Sequence, residues 1–148
     1  MRGLEPLIIN GRESNGATLV PADASGVRAM MKGLKSGGVA GILPDQEPAK
    51  GEGVFAPFFG VDAYTATLLI KLATKMKLPV VLGTAIRVEQ GFNIEFRQLD
   101  LGLAENNMEA SVAKLNSEIE KVVEAYPLQY QWTYKRFKTR PEGQKKLY

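Results

Sequence analysis

A change in the spacing of apolar residues in the second half of the chain constrains the fold most. Residues 79–88 are almost continuously apolar, which is typical of a buried strand. After the turn-forming pair Gln90-Gly91, apolar and polar residues alternate from Phe92 to Arg97. A period of two residues indicates a strand with one solvent-facing side. The two segments and the turn between them therefore predict a β-hairpin.

Helical spacing appears on both sides of this hairpin. The first predicted helix follows Asp23 or Ser25, either of which can cap it, and ends at Gly37-Gly38. The second is long and amphipathic, and it ends before Pro127. The apolar stripes consist of Val27, Met30, Met31 and Leu34 in the first helix, and of Met108, Val112, Leu115, Ile119 and Val122 in the second.

Short strand patterns complete the predicted fold. Ala17–Val20 and Val39–Leu43 are candidate strands, Val54–Phe59 is apolar and aromatic, and Asp62 can cap a helix from Ala63 to about Met76. This alternation of strands and helices predicts an α/β fold, with a mixed sheet covered by helices. We expect a single domain over residues 1–148, in which 127–148 form an aromatic and basic C-terminal segment.

The composition excludes several kinds of active site. The 148 residues include no histidine and no cysteine, so the chain has no thiolate nucleophile and lacks the commonest general base and metal ligand. No serine lies in a Gly-x-Ser-x-Gly elbow, and the glycines do not form a phosphate-binding pattern. We therefore predict no metal site.

The net charge of +3 is small, but basic residues concentrate near the C-terminus. Such a cluster attracts phosphates or an anionic membrane surface. The alternative is a solvated basic tail. The interleaved aromatic residues could contact a lipid headgroup layer or stack on nucleic-acid bases. The residues concerned are Tyr130, Trp132, Tyr134, Lys135, Arg136, Phe137, Lys138 and Arg140.

Three positions are candidates for ligand binding. Asp45, with Gln46 beside it, follows the predicted strand Val39–Leu43, and ligands of open α/β sheets bind beyond the carboxyl ends of strands. Pro44-Asp45 could equally be a simple turn. Arg12 offers a planar fork for phosphate or carboxylate, although a surface ion pair would explain it too. Arg87 ends an apolar strand, where a long cation must find a partner or reach water.

These segments carry a resemblance to a known family. The stretches Gly37–Pro48, Gly53–Gly60 and Ala63–Thr67 resemble the signature of the lauroyl/myristoyl acyltransferases of lipid A biosynthesis, in the lysophospholipid acyltransferase superfamily. Gly11-Arg12, Tyr126–Lys138 and Arg140-Pro141 are similar to the family too, so the resemblance covers nearly the whole chain.

The resemblance implies a partial glycerolipid-acyltransferase-like fold and a reaction at the cytoplasmic face of the bacterial inner membrane. A fatty acyl group passes from acyl carrier protein, or from acyl-CoA, to a hydroxyl of a lipid A precursor, without a cofactor. The residues that the resemblance implies in substrate binding are Arg12, Asp45, Gln46 and, with less support, Arg87. Contact with the membrane or the carrier protein falls to Trp132, Lys135, Arg136, Lys138 and Arg140. Nucleic acid is not an expected partner.

The resemblance also implies that the catalytic element, His-x-x-x-x-Asp/Glu, lies upstream of Gly11-Arg12. We therefore expect this chain to be the C-terminal part of an acyltransferase, with no catalytic residue of its own and no activity alone. Without the upstream part, sheet edges and apolar surfaces of this chain would be uncovered, which favours self-association into a homo-oligomer. We expect the chain itself to be soluble or peripheral to the membrane. The alternative is a lipid- or carrier-protein-binding module without catalysis.

Overall fold

The computed structural model describes residues 5–103 and 107–148. The chain divides into two compact units, Met1–Gly41 and Ile42–Tyr148, and each is described here by itself. The expected single domain over residues 1–148 stays a prediction.

The first unit contains two helices, α1 (Glu5–Glu13) and α2 (Ala24–Lys35). Asp23 caps α2 as predicted, because its carboxylate accepts the backbone N–H groups of Ser25 at 2.7 Å and Gly26 at 3.1 Å. The hydrogen bond that the Ser25 hydroxyl donates to the same carboxylate lowers the pKa of Asp23 most, and these backbone hydrogen bonds lower it further. The predicted strand Ala17–Val20 is wrong: the segment is irregular, since no described strand lies beside it to pair with its backbone.

The second unit contains four strands, two helices and a short 3₁₀ turn. In chain order these are β1 (Gly53–Phe58), β2 (Val61–Ala66), α3 (Leu68–Met76), β3 (Val80–Val88), β4 (Gly91–Leu99), α4 (Met108–Ala125) and the turn Pro127–Gln129. β1 pairs antiparallel with β2, and β3 pairs antiparallel with β4. The α/β class, the late hairpin and the long helix α4 are confirmed.

Two details of the predicted second unit are wrong. Val39–Leu43, which crosses the boundary between the units, is not a strand; Val39 and Leu43 are exposed, and no described strand pairs with the segment. Asp62 does not cap a helix, because Val61–Ala66 forms β2 and α3 starts later, at Leu68. The described strands consequently form two separate antiparallel hairpins where we expected one mixed sheet.

The core lies between the β1–β2 hairpin and α4. Cross-strand pairing puts Ala56 opposite Ala63 on one face of the hairpin, and both are buried there with Phe58. The apolar stripe of α4 packs against this face, through buried residues such as Val112 and Leu115. β4 is different: all of its residues except Leu99 are exposed, although the alternating pattern predicted one buried side.

Candidate functional site

The loop that carries Asp45 and Gln46 is held by the C-terminal segment. This loop, residues 44–48, is called the Asp45 loop below. The backbone N–H of Glu47 donates to the Tyr134 hydroxyl at 2.7 Å. The Glu47 carboxylate accepts the backbone N–H of Thr139 at 3.3 Å and also the Thr139 hydroxyl. Two residues of the C-terminal segment, Tyr134 and Thr139, therefore hold the loop at Glu47, two positions after Asp45.

Arg136 connects the same segment to the β1–β2 hairpin. Its side chain is only 3% exposed, and it donates to the Tyr64 carbonyl at 2.8 Å and to the Thr65 hydroxyl at 2.6 Å. The guanidinium carbon lies 5.4 Å from the centroid of the Phe58 ring, within cation–π range. A buried cation needs such partners, because an uncompensated charge in the interior is costly.

Charges from the Asp45 loop and from the C-terminal segment act on the buried Arg136. Burial lowers the pKa of the Arg136 guanidinium, whereas Tyr130, Tyr134 and the carboxylates of Asp45 and Glu47 act in the opposite direction. Burial raises the pKa of Tyr130, and the charge of Asp45 raises it further. Asp45 is half-buried and Gln46 is exposed. The loop thus presents a half-buried carboxylate and an exposed amide, and the charge of that carboxylate acts on Arg136 and Tyr130.

A buried polar residue of α4 completes this support. Asn116 is fully buried, and its amide donates to the Pro57 carbonyl at 2.9 Å and to the Thr65 hydroxyl at 3.3 Å. The Thr65 hydroxyl donates in turn to the Ala63 carbonyl, so its hydrogen-bonding capacity is filled. Our sequence analysis missed Asn116 and Thr65. The available signal was a polar residue, Asn116, four positions after Val112 on the apolar stripe of α4.

The chain between the Asp45 loop and β1 is also fixed. The Tyr64 hydroxyl accepts the backbone N–H groups of Gly51 at 2.9 Å and Gly53 at 3.0 Å. A Cβ atom on Gly53 would lie 2.7 Å from the Thr65 carbonyl oxygen and 2.8 Å from the Pro48 ring. Only glycine therefore lets the end of the Asp45 loop approach the hairpin this closely.

The other predicted substrate-binding residues belong to a strand and a helix. Arg87 is exposed on β3, where its guanidinium lies 4.7 Å from the centroid of the Phe92 ring. The Gln129 side chain bonds both backbone groups of Arg87, at 2.8 and 3.1 Å, so the C-terminal segment contacts this strand too. Arg12 is exposed in the last turn of α1, in the first unit. The structure therefore places Asp45 and Gln46 in one loop and Arg87 on β3.

The residues predicted to contact a membrane or carrier protein fall into two groups. Trp132, Lys135 and Lys138 are exposed. Arg136 is buried, and Arg140 is partly buried and donates to the Asp62 carbonyl at 2.6 Å. Both arginines thus have internal partners that our sequence analysis did not foresee. Contact with a membrane or a carrier protein stays a prediction.

Residues 5–103 and 107–148 contain neither a metal-binding cluster nor a membrane-spanning helix. No group of three or more carboxylates within this part of the chain could hold a metal ion. None of the helices in it has the length and apolar character needed to span a bilayer.

Comparison with known proteins assigns the chain to a family. Residues 2–139 match the family of bacterial lipid A biosynthesis acyltransferases, and the chain belongs to that family. The match includes the Asp45 loop, both hairpins, α4 and the part of the C-terminal segment that holds the loop.

Individual relatives agree with this assignment. The chain is 32% identical to a lipid A biosynthesis palmitoleoyltransferase of Escherichia coli (strain K12) over 126 residues, which cover 82% of this chain and 40% of that protein. It is 28% identical to the lipid A biosynthesis lauroyltransferase of the same strain over 124 residues, with the same coverage. A lipid A biosynthesis acyltransferase of Haemophilus influenzae is 29% identical, over 83% of this chain and 39% of that protein. The chain spans about 40% of the length of these relatives.

Proposed function

We propose that this chain is the C-terminal part of an enzyme that transfers a fatty acyl group from acyl carrier protein, or from acyl-CoA, to a hydroxyl of a lipid A precursor. The observation that carries the proposal is the family match over residues 2–139. The names of the relatives state acyl transfer in lipid A biosynthesis, with lauroyl and palmitoleoyl groups in two of them.

The reaction is a direct exchange at a thioester. The acceptor oxygen attacks the thioester carbonyl, the new C–O bond forms, and the C–S bond breaks. A base takes the proton of the acceptor hydroxyl, and the leaving thiolate takes up a proton. The thioester is already activated, so the proposed reaction uses no cofactor.

The base is the component that this chain lacks. Its 148 residues include no histidine, and aspartate and glutamate, with ordinary pKa values near 4, are weak bases for an alcohol. We propose that the family's His-x-x-x-x-Asp/Glu element supplies the base from a region upstream of the chain. Alone, the 148 residues are then inactive.

In this proposal the Asp45 loop positions substrate. Asp45 and Gln46 offer acceptors and a donor for hydroxyl and amide groups of a sugar acceptor. Tyr134 and Thr139 hold the loop through Glu47, which limits the freedom that would otherwise be lost on binding. Arg12 and Arg87, both exposed, are the proposed contacts for phosphate.

The proposed partners follow from the same reaction. Acyl carrier protein is acidic, so the exposed basic residues Lys135 and Lys138 are its proposed contacts. We propose that the reaction takes place at the cytoplasmic face of the inner membrane, as the family resemblance implies, with the chain itself soluble or peripheral. Self-association of the isolated chain stays part of the proposal, and light scattering at high protein concentration tests it.

An acyl-transfer assay tests the function. The 148-residue chain and a version extended upstream to include a His-x-x-x-x-Asp/Glu element are each given acyl carrier protein donor and lipid A precursor. The readout is the mass increase of the lipid. We expect transfer by the extended version alone. Transfer by the 148-residue chain would contradict the need for an upstream histidine.

The absence of histidine favours one second candidate, a lipid- or carrier-protein-binding module without catalysis. The same assay separates the two functions. A version extended upstream that binds acyl carrier protein and lipid A precursor, yet gives no mass increase, supports the binding module.

A further inference from the structure

Three residues between positions 134 and 139 connect the Asp45 loop to the β1–β2 hairpin. Tyr134 and Thr139 bond Glu47 of the loop, and Arg136, which lies between them in the sequence, bonds the hairpin. Tyr134, Arg136 and Thr139 are called the loop clamp below. Both outer members of the clamp contact the loop, whereas its central member is fixed to the hairpin. The position of the loop at Glu47 therefore depends on the C-terminal segment.

Tyr64 of β2 connects the loop clamp to the chain that follows the Asp45 loop. Its backbone carbonyl accepts a hydrogen bond from Arg136 at 2.8 Å. Its side-chain hydroxyl accepts the backbone N–H groups of Gly51 and Gly53. These hydrogen bonds, together with the chain from residue 47 to residue 53, form a closed ring through the clamp and Tyr64. The chain from Glu47 to Gly53 is consequently held at both ends.

The bonds at Glu47 are better suited to positioning the loop than to stabilising the fold. Thr139 is exposed and Glu47 is half-buried, and exposed polar contacts contribute little to the free energy of unfolding. The bonds are nevertheless directional, because the Thr139 hydroxyl and backbone N–H both donate to a charged carboxylate. The Tyr134 hydroxyl accepts the backbone N–H of the same glutamate. Glu47 is therefore fixed through its backbone and its side chain, two positions after Asp45.

We propose that Tyr134 and Thr139 are positioning residues for acyl transfer, which hold Asp45 in the geometry that binds the acceptor. The proposal rests on the proposed function, in which the Asp45 loop positions substrate, and it adds the loop clamp to the same site. Both residues act through Glu47 and not on the substrate itself. A loop that is already held in its binding geometry loses less conformational freedom when substrate binds.

Substitutions that remove one hydroxyl each test the proposal in the version extended upstream. Tyr134→Phe removes the acceptor of the Glu47 N–H, and Thr139→Val removes the hydroxyl that donates to the Glu47 carboxylate. We expect kcat/KM for acyl transfer to fall about tenfold and about fivefold respectively, and Thr139→Ser, which keeps the hydroxyl, should restore it. Tyr126→Phe and Thr133→Val are matched controls at exposed positions, and each should stay within about twofold of wild type.

Coupling to Asp45 distinguishes a positioning role from a structural one. If the clamp acts through Asp45, its substitutions have little left to disturb once Asp45→Asn has removed the carboxylate. In that background Tyr134→Phe and Thr139→Val should each lower kcat/KM by less than about twofold. Equal losses in both backgrounds would overturn the proposal, and so would wild-type kcat/KM for both clamp variants. Circular dichroism checks that every variant remains folded.

Amide hydrogen exchange in the 148-residue chain tests the same contacts without acyl transfer. The Glu47 amide should exchange about tenfold faster in Tyr134→Phe than in wild type, because it loses its hydrogen-bond acceptor, and Tyr126→Phe should leave its rate unchanged. Nuclear magnetic resonance measures this amide individually. An equal rate in Tyr134→Phe and wild type would overturn the proposal whatever the activity. Faster exchange in Tyr134→Phe, with no acyl transfer by the wild-type version extended upstream, would support the clamp and contradict only the proposed function.

Discussion

The two hairpins of the second unit have the same antiparallel arrangement but very different surroundings. The β1–β2 hairpin is covered by α4 on one face and is bonded by Arg136 and Asn116. The β3–β4 hairpin contacts the core on one face, and the described residues leave its other face uncovered. The first hairpin supports the Asp45 loop, and the second presents a surface.

The two hairpins differ in the polar contacts that hold them. At the first hairpin, one threonine hydroxyl joins an arginine, an asparagine and a backbone carbonyl. These bonds restrain the hairpin, although two buried atoms of the network, Asn116 Oδ1 and Arg136 Nε, have no hydrogen-bond partner among the described residues. At the second hairpin, the main polar tie between side chains is the Arg97–Glu118 ion pair, which is partly exposed and therefore weak. Four denaturation experiments test this contrast.

The largest expected difference is between two phenylalanines, one in each hairpin. Phe58→Ala should lower the free energy of unfolding by about 4 kcal/mol, because it leaves a cavity in the core. Phe96→Ala should change it by less than about 1 kcal/mol, because that ring is already largely in water. Urea denaturation of both variants measures the difference. Equal losses would show that the two hairpins are equally enclosed.

Arg136→Met should destabilise the chain by about 3 kcal/mol, since it removes two hydrogen bonds from a charged donor and leaves their acceptors buried. Lys135→Met is the matched control, because Lys135 directly precedes Arg136 in the sequence and its side chain is exposed. This variant should change the free energy of unfolding by less than about 0.5 kcal/mol. Urea denaturation gives both values. A small effect for Arg136→Met would mean that the C-terminal segment does not hold the hairpin.

Gly53→Ala should cost about 2 kcal/mol, because the added Cβ would overlap the Thr65 carbonyl oxygen and the Pro48 ring. Gly41→Ala adds the same atom where nothing lies within 4 Å, so it should be nearly neutral. Thermal denaturation compares the two variants. A neutral Gly53→Ala would show that the end of the Asp45 loop can move away from the hairpin.

The smallest effect concerns acid stability at the second hairpin. Hydrogen bonds from Lys121, then from Arg97, lower the pKa of Glu118 below its ordinary 4.5. Its contribution is therefore present above pH 4.5 and is lost as the pH falls through the lowered value. Glu118→Gln should cost about 0.5 kcal/mol at pH 7 and nothing at pH 2. Urea denaturation at both pH values measures this, and a loss that is independent of pH would contradict the assigned cause.

The sequence predicted the elements whose signals are local. The capped helix α2, the long helix α4 and the β3–β4 hairpin have a clear period or turn, and all three are confirmed. The predicted helix starts at Ala63 because Asp62 is a favourable N-cap residue, but residues 63–66 belong to β2 and the helix starts at Leu68. Val39–Leu43 reads as a strand, but strand formation depends on a partner, which its own residues cannot reveal.

The candidate site was only partly predictable for the same reason. Asp45 and Gln46 stood out by their position after an apolar segment. The loop that carries them is held by hydrogen bonds from residues about 90 positions away, such as Tyr134 and Thr139. No local pattern in the sequence indicates those contacts. The basic run in the C-terminal segment predicted a charged surface, although one of its arginines is buried.

The most direct test of the account is acyl transfer by the version of the protein extended upstream, with Asp45→Asn and Lys138→Met compared with wild type. Asp45 is proposed to position substrate, whereas Lys138 is one of two exposed lysines proposed to contact acyl carrier protein. It predicts that Asp45→Asn lowers kcat/KM about a hundredfold, which corresponds to about 2.7 kcal/mol of lost transition-state stabilisation. Lys138→Met should stay within about fivefold of wild type, the effect expected for one surface charge. Wild-type kcat/KM for Asp45→Asn would contradict the claim that the Asp45 loop is the functional site of this chain.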